Sequence, residues 1–164
     1  MKILDLYFRI PILLDYSVSI TICALAYKLR SVNFLPLPKT EQIYSMSSDL
    51  TTIGLTLAGF ILTFLTVLIT FKADNKVRAD NYDPDAPVFE LFFGSHLYFL
   101  TIGHLKNATK SLVVITVIGY IVTLVASEAS IGYLYYYNII GITIITLTLW
   151  RCLLIVSNIL KMQR

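Results

Sequence analysis

An apolar stretch of about 22 residues follows Asp49 and ends at Phe71. A helix of roughly 20 apolar residues is long enough to cross the hydrocarbon core of a bilayer. Lys72 comes directly afterwards and gives the stretch a polar end. The sequence therefore predicts a membrane-spanning helix over residues 50–71.

One face of this helix carries small and hydroxyl-bearing residues, which recur at intervals of three or four. This face, the threonine line, consists of Asp49, Thr52, Thr56, Gly59, Thr63, Thr66 and Thr70. One interpretation is helix packing, because small residues let helices approach closely and threonine hydroxyls can bond to carbonyls of their own helix. The other is a narrow pore, in which copies of this face meet in an oligomer and Asp49 forms a ring at the external mouth.

The rest of the chain has the composition of a membrane protein. Hydrophobic residues make up 57% of it and charged residues 14%, whereas soluble domains are about a quarter charged. Further apolar segments occupy about residues 10–28, 111–127 and 134–158. We therefore predict an all-α polytopic protein, with one membrane domain over residues 1–164 and four transmembrane helices. No basic stripe with interleaved aromatic residues indicates nucleic-acid binding.

A fifth apolar segment lies in the connection 72–110, but it carries Glu90, His96 and His104. An acid and two histidines are costly in lipid. We therefore predict an amphipathic helix over about 87–106, at the membrane interface or in the cytoplasm beneath the bundle, and not a fifth span. The three polar residues are candidates for docking a partner. Their spacing fits no metal site, and we predict neither a metal nor a cofactor.

Lysine and arginine are concentrated on one side of the predicted topology. The N-terminus, the connection 72–110 and the tail hold nine of them, whereas the opposite side holds only Lys28, Arg30 and Lys39. Because cytoplasmic loops are enriched in basic residues, both termini are predicted to lie in the cytoplasm.

Two charged residues fall inside predicted spans. Asp15 lies about six residues, or roughly 9 Å, into the first span, and Arg151 lies at a similar depth in the fourth. An intramembrane charge needs a partner, so we predict that the two residues pair. The pair could be structural or could act as a gate or proton-sensitive switch. Alternatively, Arg151 could extend to the interface beside Trp150.

The sequence carries no pattern that is typical of an enzyme. It has no nucleophile elbow and no glycine-rich phosphate loop, and we predict a protein without catalytic residues.

Cys23 and Cys152 both fall in apolar segments. This placement favours buried thiols over a disulfide.

The layout resembles small four-span membrane proteins of bacterial phage exclusion and anti-phage defence. The likeness lies in Ser47 and Ser48 at the start of the second span, the small residues of that span, its basic continuation, and a fourth span that ends the chain. RexB-like proteins share this layout, although the connection 72–109 is longer here. The resemblance implies an oligomeric inner-membrane channel that depolarises the cell when a cytoplasmic sensor triggers it. A looser resemblance to the Kiwa membrane subunit implies a scaffold bound to a soluble effector.

Three functions follow as expectations. The first is an oligomeric ion channel or membrane-permeabilising effector in anti-phage defence, whose partners are the bilayer, further copies and a cytoplasmic sensor or effector. The second is a membrane scaffold or sensor that recruits a soluble partner through the connection 72–110. The third is a small transporter, although no inverted repeat or broken helix is visible. If no pore exists, the threonine line is expected to form the tightest helix contact of the protein.

Overall fold

The computed structural model describes residues 10–78, 92–93, 95–127 and 130–161, with side chains for all of these except 74–78 and 160. Four helices make up this part of the chain: α1 (Pro11–Ser31), α2 (Thr40–Arg78), α3 (His96–Val125) and α4 (Ile131–Lys161). It contains no strand. Each helix is long and apolar enough to cross a membrane. The predicted all-α class with four spanning helices is confirmed.

The helices alternate in direction, so that their ends gather at two ends of the bundle. At one end, the ring of Tyr27 in α1 lies 5.9 Å from that of Tyr136 in α4, and Tyr44 of α2 donates to the carbonyl of Ala126 after α3. We call this the tyrosine end. The opposite end carries Lys72, Lys106, Lys110 and Lys161, and we call it the lysine end. This is the up-down-up-down order of a four-helix bundle.

Helix α2 begins ten residues before the predicted span. The side chain of Gln42 accepts a hydrogen bond of 3.2 Å from the backbone N–H of Lys39, which caps the helix at that point. Ser47 and Ser48 therefore lie inside the helix and do not start it. With 39 residues, α2 is about 58 Å long, nearly twice the thickness of a hydrocarbon core.

Residues 96–106 of the helix predicted over about 87–106 are helical, but they are not separate from the third span. Helix α3 begins at His96 and runs without a break into the predicted third span. No proline or glycine lies between 105 and 118 to interrupt it. Leu105 and Ala108 are both buried and continue one packed face across the predicted boundary. Most of the earlier residues of the predicted helix lie outside the described part of the chain.

The most extensive helix contact joins α2 to α3. A Cβ atom built on Gly54 would lie 2.7 Å from the hydroxyl oxygen of Thr116, and one on Gly119 would lie 2.7 Å from the methyl group of Thr51. Cβ atoms essentially never lie that close to another side chain, so a larger residue at either position would force its neighbours to shift. By contrast, α1 lies at the edge of the bundle. It buries only Pro11, Asp15 and Ser19.

Candidate functional site

The threonine line faces away from the rest of the bundle, and all seven of its residues are exposed. Thr63 is nine residues from the buried Gly54, which is about two and a half helical turns, so the two residues point in opposite directions. Among the described residues the line forms no tight helix contact. That contact belongs to the opposite face, which we call the inner face of α2 and which includes Thr51, Gly54 and Ala58.

The threonine hydroxyls of the line are satisfied by their own helix. Their acceptors are the carbonyls of Ser48 (from Thr52, 2.9 Å), Thr52 (from Thr56, 2.8 Å), Gly59 (from Thr63, 3.0 Å), Leu62 (from Thr66, 3.0 Å) and Thr66 (from Thr70, 3.0 Å). Because the single hydroxyl proton is used inward, each oxygen presents its lone pairs outward. The line is therefore a row of acceptors, which suits water and cations better than anions. Asp49, exposed near the tyrosine end, adds a negative charge to it.

Apolar side chains border the threonine line on both sides. They are Ile53, Phe60 and Val67 on one side and Leu55, Leu62 and Ile69 on the other, and all are exposed. Lys72 does not extend the line at the lysine end. Its Nζ lies 4.3 Å from the ring centre of Tyr98 and 3.8 Å from that of Phe99, so it packs on α3 through cation–π contacts.

The two intramembrane charges meet as predicted. Arg151 Nη1 lies 2.7 Å from Asp15 Oδ2, and the two side chains are 1% and 3% exposed. The pair links α1 to α4. The interpretation in which Arg151 extends to the interface is wrong, because the guanidinium is buried while the neighbouring Trp150 is 62% exposed.

The guanidinium of Arg151 is only partly satisfied. Its Nε and Nη2 have no hydrogen-bond partner among the described residues, and neither does the hydroxyl of Thr148 one turn earlier. Nε and Nη2 form the edge by which arginine grips a carboxylate with two bonds, whereas Asp15 engages Nη1. Buried donors without acceptors destabilise a protein. Removing either residue of this pair would therefore leave the other as a costly buried charge.

The candidate docking residues are dispersed. His96 is exposed at the first position of α3, His104 is half-buried two turns further on, and Glu90 lies outside the described residues. No group of three potential metal ligands occurs in the part of the chain that was described. Cys23 and Cys152 are both free thiols, the first half-buried and the second buried.

An aromatic cluster at the lysine end was missed by the sequence reasoning. Phe92, Phe93 and Tyr98 are buried, and the rings of Phe92 and Phe93 lie 5.4 Å apart. Phe71 of α2 joins the cluster, 6.4 Å from Phe93. The density of aromatic residues between 89 and 99 was the available signal. The cluster attaches the end of the connection to α2 and α3.

No family model, curated protein or solved structure matches the chain. Fold and geometry alone define its class, an all-α protein with four helices able to span a membrane.

Proposed function

We propose that the protein is an oligomeric membrane protein whose copies meet through their threonine lines and conduct ions along the contact. The observation that carries this proposal is the complete exposure of the line on the side of α2 opposite the inner face. From Asp49 to Thr70 the line is about 32 Å long, close to the thickness of the hydrocarbon core. A polar line of that length is more stable in a helix contact or along a water path than against lipid chains.

The row of acceptors supports a preference for cations. Its oxygen lone pairs face outward, and Asp49 places a carboxylate at one end. In this proposal the lysine end, with its excess of basic residues, lies in the cytoplasm, and Asp49 is at the external mouth. The resemblance to phage-exclusion proteins would make such a pore a depolarising effector.

Disulfide cross-linking tests whether the lines meet. In a chain with Cys23→Ser and Cys152→Ala, single cysteines are placed in turn at positions 59 to 66 and oxidised in membranes. We expect dimers at Gly59, Thr63 and Thr66 and none at the buried Ile61. A uniform yield at every exposed position would contradict the proposed contact.

Ion flux in proteoliposomes tests conduction. The variant Thr63→Leu with Thr66→Leu should abolish cation flux. The matched control is Thr21→Leu with Thr146→Leu, which replaces two other exposed threonines that also bond their own helix and should leave flux unchanged. Cross-linking without any flux would assign the line to packing between copies, and the pore would be excluded.

A second candidate function, recruitment of a soluble partner, is favoured by the lysine end of α3. The bond of 3.3 Å between Tyr16 and Ser111 places Pro11 level with about Lys106, because α1 and α3 run in the same direction. Helix α3 starts ten residues before Lys106, so it extends about 15 Å past the first residue of α1 at the lysine end.

The projecting part of α3 exposes three large apolar side chains, Leu97, Phe99 and Leu100. Leu97→Ser with Leu100→Ser should then release a co-purifying partner, whereas Val113→Ser with Val117→Ser, on the exposed middle of the same helix, should retain it. Equal recovery from both variants would exclude this docking surface.

A further inference from the structure

We propose that the tyrosine end binds an anionic glycerophospholipid, with its phosphate beside Arg30 and one acyl chain in a groove between α1 and α4. This site is separate from the threonine line and does not depend on the function proposed above. The proposal is based on a polar cleft, an apolar groove next to it, and the positive charge of Arg30 in the cleft.

The cleft lies where α1 ends and α4 begins and has a volume of about 440 Å³. Its walls include Tyr27, Arg30, Ser31, Asn33, Gly132 and Tyr136. Tyrosine and arginine are typical of the level at which lipid headgroups meet the hydrocarbon core. The cleft is therefore placed at the height of a phospholipid phosphate.

Arg30 is the positive group of the cleft. Its Nη1 donates a long hydrogen bond of 3.4 Å to the hydroxyl of Tyr136, and its guanidinium carbon lies 5.9 Å from the ring centre. No carboxylate of the described residues forms an ion pair with it. A half-buried guanidinium with open donors, next to tyrosine and serine hydroxyls, has the chemistry that recognises phosphate.

The groove continues from the cleft towards the middle of the helices. It has a volume of about 390 Å³ and is lined by Ile20, Cys23, Ala24 and Ile140, together with Tyr27 and Tyr136, which also line the cleft. From Tyr27 to Ile20 it follows α1 for about 10 Å. A charged cleft that opens into an apolar groove matches a molecule with a phosphate at one end and a hydrocarbon chain at the other.

No acid occurs among the described residues that line the cleft, and this selects between lipid classes. A zwitterionic headgroup would bring an ammonium group that meets no carboxylate of these residues, whereas an anionic headgroup would bring only charge that Arg30 attracts. We therefore expect phosphatidylglycerol to bind in preference to phosphatidylcholine with the same acyl chains.

Native mass spectrometry of the full chain in detergent tests the site, with added phosphatidylglycerol, phosphatidylcholine or inorganic phosphate. Arg30→Ala should reduce retained phosphatidylglycerol about tenfold or more, since it removes a charge-assisted contact. Lys28→Ala is the matched control, because Lys28 is an exposed cation two residues away that does not line the cleft. It should leave retention unchanged. Ala24→Phe, which fills the groove from an exposed position, should also reduce retention.

Thermal unfolding of each variant in lipid-free detergent shows that the chain still folds. If Arg30→Ala and Lys28→Ala lose the same amount of retained phosphatidylglycerol, general charge attraction and not this site explains the binding. Equal retention of the two lipids would overturn the anionic preference, and binding of inorganic phosphate as strong as that of the lipid would overturn the role of the groove.

Discussion

The threonine line and the buried Asp15–Arg151 pair are satisfied in different ways. The threonines of the line bond to carbonyls of their own helix, so each is satisfied before any other helix arrives. Asp15 and Arg151 depend on each other across two helices, and part of the guanidinium has no described acceptor. Outward groups are thus available for a second copy or for water, while inward groups hold this chain together. Substitutions on the two sides should differ accordingly.

The largest effect is expected from Arg151→Leu. It removes the arginine that pairs with the buried Asp15 carboxylate, and removing one member of a buried pair typically costs about 3–5 kcal/mol. The free energy of unfolding, measured by titration with sodium dodecyl sulfate in mixed micelles, should fall by an amount of that order.

The double variant Asp15→Leu with Arg151→Leu is the control for this prediction. Both charges are then gone, along with the unsatisfied donors, and most of the lost stability should return. If the double variant is as unstable as Arg151→Leu, the pair contributes through side-chain packing and not through charge.

An intermediate effect is expected from Gly54→Ala on the inner face of α2. The new Cβ would lie 2.7 Å from the Thr116 hydroxyl, and overpacking of this kind costs about 1–3 kcal/mol. Gly59→Ala is a matched control five residues further on, where a Cβ meets no atom within 4 Å. It should be neutral or slightly stabilising, because alanine is the better helix former. Equal losses in the same unfolding titration would show that Gly59 also packs within the chain.

Periodicity and depth allowed the sequence to predict the four spans, the threonine line as one face, and the pairing of Asp15 with Arg151. These features depend on spacing along single helices and on the cost of charge in lipid. The contact partners of the inner face of α2 were not predicted, because they are residues of other helices, Thr116 and Ile145. Spacing along one helix does not encode such contacts.

The first residues of helices α2 and α3 were predicted less well, for a related reason. Apolar runs indicate where lipid begins, whereas helices continue until a cap or a breaker stops them. Helix α2 therefore starts at the Lys39 cap, well before its apolar part, and α3 starts at His96, well before the predicted third span.

The smallest effect is expected from Ser47→Ala, again on the inner face of α2. The Thr123 hydroxyl already donates to the carbonyl of Gly119, so Ser47 is the donor in the 2.8 Å bond between the two side chains. Its loss leaves Thr123 with its own helical bond, and hydrogen bonds between membrane helices contribute about 0.6 kcal/mol on average. We expect a loss of that size in the unfolding titration.

Ser48→Ala is the adjacent control for this last prediction, because Ser48 is exposed and its side chain lies outside the contact with α3. It should leave the unfolding free energy within a few tenths of a kcal/mol of the unsubstituted chain. A larger loss at Ser48 than at Ser47 would mean that the outward side of α2 contributes to the stability of the single chain. In that case the proposed contrast, in which outward groups contact other molecules and inward groups stabilise the chain, would be wrong at the tyrosine end of α2.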